Sequence, residues 1–181
     1  TLPDILPKNK FDATINTTLK FNNNTFTYKY LVANSANSIQ SIQTFAIDTD
    51  IDTLIEKQVP SKWICFNSTF LMVIFTVDPF YIDDEDSKIA PGGNDISFTL
   101  LSNNLPSIEK FYLQGYNGDS NDFNNLRNNS KSGYTVVPTV IFDTLNTQSY
   151  LDTLINYCIK SFKLNWIINQ NTTDKYDSLF N

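Results

Sequence analysis

Three short stretches of this 181-residue chain gather hard oxygen donors. Asp48, Asp50 and Asp52 alternate in Asp-Thr-Asp-Ile-Asp. Asp78 is followed by Asp83, Asp84, Glu85 and Asp86. Asn117, Asp119 and Asn121 open an Asn/Gly/Asp/Ser segment. Calcium takes about six to eight oxygen ligands from carboxylates, amides and carbonyls. Asp48, Asp50, Asp52, Asp83, Asp84, Asp86, Asn117, Asp119 and Asn121 are therefore candidate calcium ligands. The third stretch copies the first half of an EF-hand loop. It carries Asp122 where the sharp turn needs Gly, and Asn128 where the bidentate Glu belongs. For each stretch the alternative is a solvated loop that keeps a sheet protein soluble and blocks edge pairing. Paired carboxylates also serve glycosidase-type chemistry, and here that use has the least support.

The second chemistry the residues allow is stacking. Trp63, Tyr81, Tyr112 and Tyr116, with Phe80 and Tyr134, are candidates for an aromatic platform that holds a sugar, with Asn and Asp as hydrogen-bond partners. The alternative is that Trp63 and Tyr112 fill the space between two sheets, which needs large aromatics. The chain has no histidine. That removes Ser-His-Asp and Cys-His triads, imidazole general bases and His-based zinc sites. Cys65 and Cys158 are too few and too far apart for a Cys-rich metal site. They read as two buried thiols, or as a long-range disulfide in an oxidising compartment. No glycine-rich phosphate-binding pattern occurs. The expectation is that the chain is not an enzyme and needs no cofactor other than calcium.

A formal charge of −6 and a pI near 4.5 argue against a nucleic-acid partner, because the 13 Lys and Arg form no stripe. No apolar stretch reaches the roughly 20 residues of a spanning helix, so membrane insertion is not expected. N-x-S/T sequons stand at Asn16, Asn23, Asn67, Asn128 and Asn171. In a chain this rich in Asn, Ser and Thr about as many arise by chance, so they permit glycosylation without arguing for it.

The elements that must position these residues read as strands. Thr25–Ala33 alternates, with Phe26, Tyr28 and Tyr30 on one face. Phe11–Phe21 pairs with it across Asn22-Asn23-Asn24, and Ile39–Asp48 follows. Asp48–Pro60 is ambiguous between one helical turn and a loop. Lys62–Phe66 and Thr69–Val77 form a strand pair around Asn67-Ser68, the second apolar on both faces, as a central strand is. Ile96–Leu101, Ile108–Tyr116 and Tyr134–Ile141 complete the set, with hairpins between neighbours as the default. From Thr147 the period changes. Tyr150, Leu151, Leu154, Ile155, Cys158, Ile159 and Phe162 fall at three-and-four spacing, an amphipathic helix with Thr147 or Ser149 as cap.

Tyr30, Val32, Asn34, Ser38, Ile42 and Phe45 spell Y-x-V-x-N-x-x-x-S-x-x-x-I-x-x-F. Trp63, the Pro91-Gly92 turn, Phe98, Leu105-Pro106 and the Tyr112…Gly115-Tyr116 strand follow in order. From about Phe26 onward this order resembles an uncharacterised β-sandwich domain of secreted and surface-anchored bacterial proteins. The acidic run Asp83–Asp86 and the abundance of Asn depart from that pattern. The resemblance implies an extracellular or cell-surface location and a binding or scaffolding role, and it supplies no catalytic residues.

The expected architecture is mainly β. It is an antiparallel β-sandwich of roughly seven to nine strands over residues 1–146, with a C-terminal amphipathic helix and tail, 147–181, packed on it. The expected function is a non-enzymatic module for adhesion, assembly or structural display, with other protein subunits or cell-surface glycans as partners. The alternative is a carbohydrate-binding module, calcium-stabilised if one acidic loop holds the ion.

Overall fold

Alternation along Thr25–Asn34 puts Tyr28, Tyr30 and Val32 inward, where all three are fully buried, and leaves Lys29 in solvent. This strand, β2, pairs antiparallel with β1 (Ala13–Asn22), Asn22 opposite Thr25. Asn23 and Asn24 close the hairpin with φ of 48° and 64°. Both sit in the left-handed region that a type I′ turn requires and asparagine tolerates.

The computed structural model describes residues 9–49, 54–68, 71–116, 126–140 and 147–164. The chain divides into two units, residues 1–140 and 141–181. In the first, nine strands form among the described residues. After β1 and β2 come β3 (Ile42–Asp48), β4 (Leu54–Gln58), β5 (Trp63–Ser68), β6 (Met72–Val77), β7 (Ile96–Ser102), β8 (Leu105–Gly115) and β9 (Lys131–Val140). They build a four-stranded sheet in the order β1-β2-β7-β4 and a five-stranded sheet in the order β5-β6-β3-β8-β9. Every neighbouring pair is antiparallel. The mainly β sandwich expected from alternation is the observed architecture.

Three readings of the connections need correction. Residues 54–58, ambiguous between helix and loop, are the edge strand β4 on β7. Its outward charges, Glu56 and Lys57, hide the alternation. Asn67 and Ser68 are not a turn: they extend β5, opposite Val73 and Met72. Hairpins join β1–β2, β5–β6 and β8–β9 only. β7 and β8 are separated by just Asn103 and Asn104 yet lie in different sheets, because both sides of β7 are already occupied by β2 and β4. Ser102 Oγ accepts from Asn104 N at 3.0 Å where the chain changes sheet.

Between the sheets sits an aromatic cluster. Phe98 lies 4.9 Å from Phe75 and 5.0 Å from Trp63 by ring centroids, and Phe45 lies 5.5 Å from Phe75 and 5.4 Å from Tyr30. Such pairs contribute about 0.5–1.5 kcal/mol each beyond area burial. The outer face of the five-stranded sheet is also covered. Ala46, Met72, Ile74 and Tyr112 form a second buried cluster with Leu126 of the short helix α1 (Leu126–Asn129). Burial on both faces explains why β6 is apolar throughout except at Thr76, whose hydroxyl is hydrogen-bonded to that of Thr44.

The second unit holds α2 (Thr147–Lys163), with Lys160 and Lys163 in its last turn, where cations complement the helix dipole. Thr147 and Ser149, read as caps, both fall inside it. Its stripe of Leu151, Ile155 and Cys158 is half-buried, and Leu154, Ile159 and Phe162 are exposed. No helix among the described residues is long and apolar enough to cross a membrane.

Candidate functional site

The connection from β6 to β7 carries the most exposed aromatic of the described chain. Pro79 presets φ for a single 3-10 turn, Pro79–Tyr81. Asp78 caps it: its Oδ1 accepts from Phe80 N at 2.9 Å, and its carbonyl accepts from Tyr81 N at 2.8 Å. Asp84 caps the next turn, Glu85–Ser87, its Oδ1 accepting from Asp86 N at 3.0 Å. Asp, with its short acceptor side chain, suits both positions.

Among the contacts that fix this loop to the sandwich, three are made by the side chains of Trp63, Lys62 and Lys88. Trp63 Nε1 donates to Ser87 O at 2.7 Å. Lys62 Nζ meets Asp84 Oδ2 at 2.6 Å and stands 6.0 Å from the centre of the Tyr81 ring. Lys88, its side chain buried, reaches Glu85 Oε1 at 3.0 Å and lies 3.8 Å over the Tyr116 ring. Inside the loop, Ser87 Oγ sits 2.8 Å from Tyr81 O and 2.6 Å from Asp84 O, which share its one hydrogen. The hydrogen bond from Lys62 holds the Asp84 carboxyl below the ordinary carboxylate range, and the same bond raises Lys62.

On this braced loop Phe80 is 95% exposed and Tyr81 45%. Asp83 and Asp86 are exposed nearby. A braced turn that presents an aromatic face loses little conformational entropy when a ligand covers it.

The other sequence candidates lie elsewhere. Trp63 is only 4% exposed and sits edge-on to Phe98 between the sheets. Tyr112 is buried on the outer face of the five-stranded sheet. Its hydroxyl donates to Asp48 Oδ2 at 2.8 Å, and Arg127 donates to Asp48 Oδ1 at 2.8 Å. Burial first, and then Asp48, push the Tyr112 hydroxyl up to about 12. Tyr116 lies beneath Lys88. The four residues read as one platform are thus dispersed, because two of them are needed to fill space on either side of a sheet.

Of the acidic candidates, Asp48 is paired with Arg127 and Asp84 with Lys62. Asp83 and Asp86 do not converge with a third carboxylate: among the described residues no three His, Cys, Asp or Glu side chains are grouped to hold a metal. Asp50, Asp52, Asn117, Asp119 and Asn121 lie outside the described residues. Cys65 and Cys158 are free thiols, and burial pushes Cys65 up to about 11.

Sequence reasoning placed Phe80 among several aromatics and missed the cations that brace it. The signal was present as Asp-Pro-Phe-Tyr followed by a second Asp six residues after the first, two capping residues in tandem.

No family model matches the chain, and no curated protein matches it. Among solved structures it is similar to the chitin-binding domain of a chitinase from Pyrococcus furiosus, at 12% identity and a TM-score of 0.30. That match covers 72% of this chain and 99% of the other. At that TM-score the likeness carries no argument about what this chain binds.

Proposed function

We propose that this chain is a non-enzymatic binding module of an extracellular or cell-surface protein, that the Phe80–Tyr81 turn is its contact surface, and that its ligand is a glycan. The observation that supports this is a Phe left 95% exposed on a loop braced by Trp63, Lys62 and Lys88. Burying a Phe side chain is worth about 1.5–3 kcal/mol, so leaving one in water on a rigid support favours a partner that covers it. Two aromatic faces with carboxylates beside them match a sugar, which offers apolar C–H faces and hydroxyl donors. Asp83 and Asp86 disfavour acidic glycans through like-charge repulsion. The non-enzymatic part of the reading is supported by the absence of histidine from the chain and, among the described residues, by the pairing of Asp48 with Arg127 and Asp84 with Lys62 rather than with a second carboxylate.

Titration calorimetry with neutral and acidic oligosaccharides tests it. Phe80→Ala is expected to weaken binding of the neutral ligand roughly 30-fold, the equivalent of about 2 kcal/mol of lost burial, with unchanged melting. Equal affinity in wild type and Phe80→Ala sinks the proposal. A second reading, assembly with other protein subunits, is favoured by Phe21, 61% exposed at the tip of the β1–β2 hairpin. Phe21→Ser leaving the sedimentation profile of the chain and its partner unchanged would refute that reading.

A further inference from the structure

A sandwich of two open sheets has four edge strands, here β1 and β4 in one sheet, β5 and β9 in the other. Each edge presents unpaired backbone groups, and proteins guard such edges with charge, proline or a covering group. β4 carries Glu56 and Lys57, and β9 carries Lys131 and Pro138. β5, Trp63–Ser68, carries neither charge nor proline of its own, and Lys57 of β4 reaches it at Asn67 near its end. β1 has no proline and one charge, Lys20, near its hairpin end.

The two weakly guarded edges are the two strands that contain sequons. Asn16-Thr17-Thr18 lies in the middle of β1, and Asn67-Ser68-Thr69 begins in the last residues of β5. Asn16 and Asn67 are both exposed. The other described sequon asparagines, Asn23 and Asn128, sit on the hairpin turn and on α1, so no central strand holds one. Asn67 already uses its Oδ1, which accepts from Lys57 Nζ at 2.5 Å. An N-linked sugar is attached through Nδ2, so that bond and the sugar are compatible.

We propose that Asn16 and Asn67 are N-glycan acceptors whose sugars guard the β1 and β5 edges. In the transfer, the amide Nδ2 forms a bond to the anomeric carbon of a lipid-pyrophosphate-linked oligosaccharide. The bond from that carbon to the pyrophosphate oxygen breaks, the lipid pyrophosphate leaves with the electron pair, and the amide proton passes to a base of the transferase. A bulky, hydrated sugar on an edge strand then keeps a second strand from pairing there. The inference rests on the extracellular placement in the reading above and on a secretory route that carries this transferase.

The test is expression of the full chain through a eukaryotic secretory pathway. Intact mass is measured before and after enzymatic removal of N-glycans, which converts each modified Asn to Asp. Expected are loss of mass on treatment, Asp at positions 16 and 67, and loss of those mass increments in Asn16→Gln and Asn67→Gln. The unglycosylated Asn16→Gln/Asn67→Gln chain, which gains no charge at either edge, is expected to shift in sedimentation from monomer toward associated species. A secreted chain unmodified at both positions overturns the inference, and so does an Asn16→Gln/Asn67→Gln chain that stays monomeric. Oligosaccharide binding measured on the same preparation separates the two readings: a glycosylated chain that binds nothing refutes the Phe80 site and leaves the edge sugars standing.

Discussion

Replacing Trp63 by Phe separates a residue that supports the candidate surface from one that touches the ligand. Trp63 is nearly buried, and its Nε1–H is the donor that Ser87 O accepts at 2.7 Å. Phe keeps a ring against Phe98 and removes that donor. A buried carbonyl left unpaired costs about 1–3 kcal/mol, and the smaller ring leaves a void that adds about 1 kcal/mol. The sum, about 2–4 kcal/mol, lowers the melting temperature by roughly 5–15 °C for a unit of this size. Circular dichroism melts check this, with Phe80→Ala as the contrast. Phe80 is so exposed that its truncation is expected to change stability by less than about 0.5 kcal/mol. Below its own transition, Trp63→Phe is expected to retain glycan binding, weakened only by loosening of the loop. The reasoning is refuted if Trp63→Phe melts with wild type, or if the folded variant loses all binding while Phe80→Ala keeps it. The second result would make Trp63 a ligand residue.

Two further outcomes follow from the packing and the electrostatics. Gly133 on β9 faces Phe111 on β8, and a Cβ at that position would stand 2.7 Å from the Phe111 ring. Gly133→Ala is expected to cost about 1–3 kcal/mol in urea unfolding, and Phe111→Leu to recover part of it; strict additivity of the two changes would contradict this. Burial and Asp48 raise the Tyr112 hydroxyl to about 12, so the folded state holds its proton more tightly than the unfolded chain. Tyr112's contribution is fully present below the ordinary tyrosine value near 10 and is lost as pH rises toward 12. Asp48→Asn is expected to lower the Tyr112 midpoint in an ultraviolet titration, and an unmoved midpoint would show that burial acts alone.

Much of the fold was legible because its strands announce themselves. Tyr28, Tyr30 and Val32 recur at every second position, with Thr27 and Lys29 on the other face, and the asparagine turn before them has one good solution. The buried strand β6 was legible from its apolar run, and α2 from its three-and-four spacing. What the residues did not carry was pairing. β7 and β8 lie two residues apart and look like a hairpin, yet sheet membership depends on which strands already flank them. β4 was hidden because its outward charges break the alternation, and a five-residue edge strand owes its state to its partner β7.

The candidate surface divides the same way. Local chemistry determined the turn itself: Asp78 and Asp84 as caps and Pro79 at the first helical position are decisions a few residues make alone. The sequence by itself also determined that histidine chemistry is impossible here, since composition needs no fold. Only the tertiary structure decided which aromatics face water. Trp63, Tyr81, Tyr112 and Tyr116 are alike as residue types, and the sandwich sends the first between its sheets and the third beneath α1. The loop holds the second in solvent, and the fourth is covered by Lys88. For these four aromatics burial is set by contacts between residues far apart in the chain, and the residues next to them do not encode it.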